Sequence, residues 1–310
     1  MILFDRFVLY IVANRSMMCV WQWMIDKIKF DSENFYDIGN VFKPMELHNV
    51  QERTILLHDG DIQGEAISIS NCYNGFIYIL APASFVSITA CKSCTIVLGT
   101  VSKLLSVEKC HDSKIICVCT RSRISSCTSS KIYLACVESS VLLGYNHDLK
   151  IAPYNTCYPL LESHMEHSRI SCAFNRWKNI ECCCTCCMSR QIDSRVSNDS
   201  FEMPQSHILD PGQFEHFVIP FSCCVSDEAA KRITRLTKWN PFTVPIEYRN
   251  PLQEKLVSVD KLKEAMDEAV LLMDNSVKMY IQHQIQQQFG SWLLETDQLR
   301  QIEDLVRMNV

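Results

Sequence analysis

At 310 residues the chain has room for one sizeable domain with appendages, or for two domains. A net charge of −5, with 21% charged residues, excludes a general nucleic-acid binder. Its 8 glycines are roughly a third of the usual ~7%, and no glycine-rich phosphate loop or His-Glu-x-x-His zinc motif occurs.

Residues 1–49 lack a firm period. Within them "MMCVWQWMIDKIKF" is expected to form a short helix capping the open end of the domain that follows. Asp5 and Arg6 interrupt the apolar start "MILFDRFVLYIVA" and no charged region precedes it, so a signal peptide is not expected. No run reaches the ~18 apolar residues of a membrane span. The 18 cysteines are accordingly expected in a reducing cytoplasm, as thiols.

From residue 50 a repeat appears. Cys72, Cys91, Cys110 and Cys127 are spaced 19, 19 and 17 residues apart. Each has an aliphatic residue three positions before it (Ile69, Ile88, Val107, Ile124) and an isoleucine five positions after it (Ile77, Ile96, Ile115, Ile132). Seven positions after stand Ile79, Leu98, Cys117 and Leu134. A fifth copy centres on Asn146, with Leu143 before it and Ile151 after it. Alternation of period two on both sides of a polar corner means strand, turn, strand. Recurrence near 19 residues without a helical period predicts a mainly β fold, a right-handed parallel β-helix in which equivalent positions stack in columns.

In that frame the cysteines of "CVCTRSRISSC", residues 117–127, are packing groups rather than metal ligands. Zinc needs four converging ligands, and within the repeat the one such pair, Cys91 and Cys94, is already half used by the column, so no metal is expected there. Four positions before each corner stand Ser68, Ser87, Ser106 and Arg123, with Leu142 in the fifth copy; this column points outward and Arg123 is its one long cation. Four positions after the corner, Lys114, Lys131 and Lys150 form a second column. One reading is a solvated face whose lysines discourage edge-to-edge association. The other is a basic binding surface for an acidic partner, with Arg121 and Arg123 projecting.

Beyond the coils, "IAPYNTCYPLLESHM" is expected to leave the repeat and run along its outside. Residues 181–207, "ECCCTCCMSRQIDSRVSNDSFEMPQSH", are expected to be an exposed loop, its Cys182–Cys187 cluster either incidental or reactive and lipidated. "GQFEHFVIPF" is expected to be a strand closing the domain, which is placed at 50–225. Pro241, Pro245 and Pro251 mark a linker at the head of a helical region, 226–310. From Ser258 apolar residues fall at helical spacing and predict a helix reaching Trp292, with Thr296 as N-cap of a last helix holding Leu299, Ile302 and Leu305. Such a stripe serves either packing within the chain or a partner.

"TILLHD", "FIYILAP", "CTIVLGTV", "IAPYNTCYPLLESHM", "NRWKN", "FVIPF" and the tail "QFGSWLLETDQLRQIEDLV" resemble the C-CAP/cofactor C-like domain family. The resemblance covers about residues 45–225 and, less fully, the tail. It implies a β-helix without cofactor. In catalytic relatives a Gln-Gln-hydrophobic-Arg segment supplies an arginine finger that stimulates GTP hydrolysis by tubulin or an Arf-like small GTPase. Laid on this chain the finger falls on Arg123, while Thr120, Arg121 and Ser122 stand where the relatives have the glutamines and the hydrophobic residue. The branch it most resembles is associated with positioning the centrosome and Golgi apparatus, and so with cell shape and migration. The resemblance thus implies a non-catalytic scaffold at the centrosome and spindle pole, with cytoskeletal partners, and a chain shorter than its relatives at the N-terminus.

Overall fold

Main-chain amides need partners, and a repeat of short apolar strands finds them in the next copy of itself. A computed structural model describes residues 45–62, 66–183, 207–220, 240–296 and 298–308. The expected helix in residues 1–49 and the cysteine cluster beyond Cys183 lie outside the described residues. The described residues fall into two compact units, one ending at Ile246 and one beginning at Glu247.

The first unit is a parallel β-solenoid. Strands β1 (Met45–His48), β3 (Ala66–Ser70), β5 (Ala83–Thr89) and the second halves of β6 (Thr95–Glu108) and β7 (Lys114–Ser125) stack in register, followed by β9 (Ser140–Leu143) and β11 (Ile180–Cys183). Strands β2 (Thr54–His58), β4 (Phe76–Leu80), the first halves of β6 and β7, β8 (Lys131–Cys136) and β10 (Lys150–Pro153) form a second stack. Isolated bridges run through Gln51, Tyr73, Lys92, His111, Thr128 and His147, one corner rung for each of six turns. The repeat read from the cysteines therefore has a further turn before it, centred on Val50, where no cysteine marks the corner.

Inside, the predicted columns are in place. Ile69, Ile88, Val107 and Ile124, then Ile77, Ile96, Ile115, Ile132 and Ile151, are all fully buried. Cys72, Cys91, Cys110 and Cys127 line the inside of the corner, each at most 1% exposed. Each thiol donates to the carbonyl two residues before it, at 3.5, 3.6, 3.5 and 3.4 Å respectively. Every corner places residues in the left-handed region, among them Asn71, Ala90, Lys109 and Ser126 with φ between 53 and 55°. For Ala90 and Lys109 this costs backbone energy. The cost is offset because the N–H of each reaches the carbonyl of the next turn, Glu108 at 2.9 Å and Ser125 at 3.0 Å.

The fifth copy slips. Arg123 pairs with Val141 and Ile124 with Leu142, so Leu142 points inward, fully buried, instead of joining the outward column. The corner that follows holds one extra residue and turns through Gly144 at φ 65°. Asn146 then closes the cysteine column. Its Oδ1 accepts the Cys127 N–H at 2.9 Å and its Nδ2 donates to the Leu143 carbonyl at 3.0 Å.

The second stack is apolar on its outside as well. Tyr78, Val97, Ile116, Tyr133 and Ala152 lie buried beneath residues 207–220, which return across them as a strap. Phe217 packs on Tyr78 and Phe214 on Tyr133, at ring separations of 6.4 and 6.2 Å. The "GQFEHFVIPF" segment is thus not the expected strand. Pro211–Gln213 is a 3-10 turn and the rest runs extended without a ladder. Its main chain is held instead by Asn155 and Thr156: the Phe217 N–H donates to the Asn155 carbonyl at 3.0 Å, the Asn155 amide to Glu215 O at 2.8 Å and the Thr156 hydroxyl to Phe217 O at 2.6 Å. Helix α1 (Leu161–His167) is tied to the solenoid by His164, whose Nε2 lies 2.9 Å from Asp59 Oδ2 and whose Nδ1 lies 2.9 Å from the Tyr158 hydroxyl.

The second unit is helical: α2 (Ile246–Leu272), α3 (Asn275–Glu295) and α4 (Gln298–Met308). The single helix expected from Ser258 to Trp292 is broken at Met273 and Asp274. Pro251 stands inside α2 rather than in a linker. As the sixth residue it lies past the four free N–H groups of the helix start, so its missing N–H costs one intrahelical bond. Thr296 does not serve as the expected N-cap; its hydroxyl donates back to the Trp292 carbonyl at 2.7 Å and closes α3. No described helix is long and apolar enough to cross a membrane.

Candidate functional site

Strand β7 carries two of the candidate cation sets at its two ends. Its first half pairs with β8 and presents Lys114; its second half pairs with β9 and presents Arg121 and Arg123. The bend between the halves turns these residues onto different faces of the solenoid, so the arginines and lysines do not form one surface.

On the arginine face, Ser68, Ser87, Ser106 and Arg123 are successive Cα partners, the outward column expected from the sequence, with Val141 next. Arg123 is exposed, and its rung neighbours Ser106 and Val141 carry no charge. Arg121 is held: its guanidinium lies 2.6 Å from Glu138 Oε2, both side chains being about half exposed. Between them Ser122 points inward and is fully buried. The same face carries Phe85, 43% exposed, with Lys103 Nζ 4.9 Å from its ring centre. The outward column continues to Glu46 beyond Ser68 and to Glu181 beyond Val141, so this face carries carboxylates as well as cations.

The lysine column is in register, Lys114 to Lys131 to Lys150, but its members differ. Lys131 is exposed. Lys150 Nζ lies 3.8 Å from Asp148. Lys114 lies against the strap, Nζ 5.6 Å from the Phe217 ring centre. Burial lowers its pKa, partly offset by the charge of Glu215. Sequence alternation places Lys114 outside but carries no sign of the strap, because the strap comes from a segment about a hundred residues later.

Cys91 and Cys94 each donate to a main-chain carbonyl, and no group of three or more side chains that could hold a metal ion occurs among the described residues. Sequence reasoning missed one cluster. Cys119 and Cys136, which no sequence reading singled out, are Cα partners with their sulfurs 3.2 Å apart. The 17-residue spacing that equates Cys110 with Cys127 equates these two as well, and was the signal available.

Residues 64–182, spanning the solenoid from its second turn to β11, match the family model of tubulin binding cofactor C. Over these residues the chain is similar to the tubulin binding cofactor C family. Similar curated proteins are the TBCC domain-containing protein 1 of Xenopus tropicalis, 25% identical over 276 residues, covering 88% of this chain and 45% of that protein. The human protein of the same name is 27% identical over 260 residues, covering 84% and 42%, and that of Danio rerio 24% over 260 residues, covering 84% and 41%. The chain spans less than half the length of these relatives. The similarity extends beyond the cofactor C domain, since 276 residues exceed the 119 of the matched domain.

Proposed function

We propose that this chain is a non-catalytic scaffold of the cytoskeleton, acting in the cytoplasm at the centrosome and spindle pole in positioning the centrosome and Golgi apparatus, and through it in cell shape and migration. The family supports a cytoskeletal role. The observation that favours docking over catalysis is the setting of Arg123, flanked by Ser106 and Val141, with Thr120 and Arg121 where catalytic relatives have glutamines. A finger stabilises charge on a transferring phosphoryl group only when it is held in position. Arg121, by contrast, is fixed by Glu138 and suits recognition of an acidic surface, with Lys131 as the one freely exposed cation of the lysine column.

The exposure and outward register of Arg123 favour a second reading, a GTPase-activating protein using Arg123. Single-turnover GTP hydrolysis by tubulin and by Arf-like GTPases separates the two. No stimulation by the chain is expected, and Arg123→Ala is expected to leave co-localisation of the tagged chain with a centriole marker intact. Stimulation of ~10³–10⁵, abolished by Arg123→Ala, would instead establish the catalytic reading.

A further inference from the structure

The corner thiols of Cys72, Cys91, Cys110 and Cys127 interact with one another along their column, and each also donates to a main-chain carbonyl. Those of Cys119 and Cys136 face each other at 3.2 Å, across directly paired positions of β7 and β8. Neighbouring strands lie ~4.8 Å apart, inside the ~4.4–6.8 Å Cα range that a disulfide spans. Ser140 adds a hydroxyl donor 3.3 Å from the Cys136 sulfur.

We propose that Cys119 and Cys136 are an oxidation site at which peroxide installs a disulfide between adjacent turns of the solenoid. One thiolate attacks a peroxide oxygen; the O–O bond breaks, a sulfenic acid forms and the departing hydroxide takes up a proton as water. The second thiol then attacks that sulfur, the S–O bond breaks, its proton leaves with the hydroxyl as a second water, and the S–S bond closes. The two sulfurs give up two electrons and the peroxide receives them. Both side chains are at most 1% exposed. The adjoining thiols and burial hold both well above the ordinary thiol range, that of Cys117 acting on Cys119 and that of Cys119 on Cys136. Oxidation therefore proceeds through brief openings of the β7–β8 turn and is slow. The crosslink lies two residues before Arg121 on one strand and two before Glu138 on the other, so it fixes the rung that carries their ion pair. This site is independent of the scaffold reading.

The purified full chain is treated with hydrogen peroxide, unfolded, alkylated and mapped as peptides without reduction. A linked peptide joining Cys119 to Cys136 is expected, forming more slowly than oxidation of the exposed Cys172. The thermal midpoint is expected to rise by several degrees on oxidation, to fall back with dithiothreitol, and not to move in Cys136→Ser. Recovery of both residues as alkylated thiols after Cys172 is fully oxidised, or linkage among the corner cysteines in their place, overturns the proposal; because the mapping uses the unsubstituted chain, it holds even if Cys136→Ser fails to fold.

Discussion

A methyl group placed on Gly99 would meet the Ala81 carbonyl oxygen at 2.5 Å and its amide nitrogen at 2.9 Å. Both are main chain in the turn below, so neither can give way locally. Gly99→Ala is expected to cost about 1–3 kcal/mol in urea unfolding, by the overpacking mechanism. Asn146 acts through hydrogen bonding instead. Truncation to alanine leaves the buried Cys127 N–H without its acceptor, at a cost of about 1–3 kcal/mol by the same measurement. Arg123 is the contrast. It is exposed and makes no buried contact that a shorter side chain would lose, so Arg123→Ala is expected to change stability by no more than ~0.5 kcal/mol.

The strap carries a titrating group that couples it to pH. His216, in its middle, is largely buried with its Nδ1 on the Asn155 carbonyl at 3.4 Å and its Nε2 unpartnered. Burial lowers its pKa from 6.5, the Asn155 contact offsetting part of this. Between the folded pKa and 6.5 the unfolded chain binds more protons than the folded one, so stability rises with pH through that window. The contribution is expected to be fully present above pH 6.5 and to be lost as pH falls toward the folded value. Urea midpoints at pH 7.5 and 5.5 would show this, and His216→Gln is expected to flatten the difference. An unchanged slope in that variant would assign the acid sensitivity elsewhere.

A solenoid distributes its stability by turns, since each turn contacts only its neighbours. Among the described residues β1 pairs only with β3 and β2 only with β4, whereas the middle turns are paired on both sides. Hydrogen exchange is expected to be fastest in residues 45–58 and slowest in β6 and β7. Protection in β1 and β2 equal to that of β7 would mean that another part of the molecule covers this edge. The same layered construction sets the arginine face, where Ser68, Ser87, Ser106 and Arg123 stand on successive turns in register.

The parallel β-solenoid was legible because stacking makes burial periodic: the same offsets from Cys72, Cys91, Cys110 and Cys127 had to be aliphatic in every turn, and Arg123 had to point out. The first turn was not legible, because Val50 replaces the cysteine that marks the others. Counting back from Asn146 put Leu142 in the outward column, and only the extra corner residue beside Gly144 turns it inside. Tertiary structure alone decided the rest. Burial of Tyr78, Ile116 and Tyr133 on the outer face, and the sheltering of Lys114, come from a strap distant in sequence, held by side chains of Asn155 and Thr156 rather than by a ladder with its own period. The facing of Cys119 and Cys136 is likewise a matter of which way two interior side chains turn. Periodicity names the column a residue belongs to; contact between long-range segments determines what covers it.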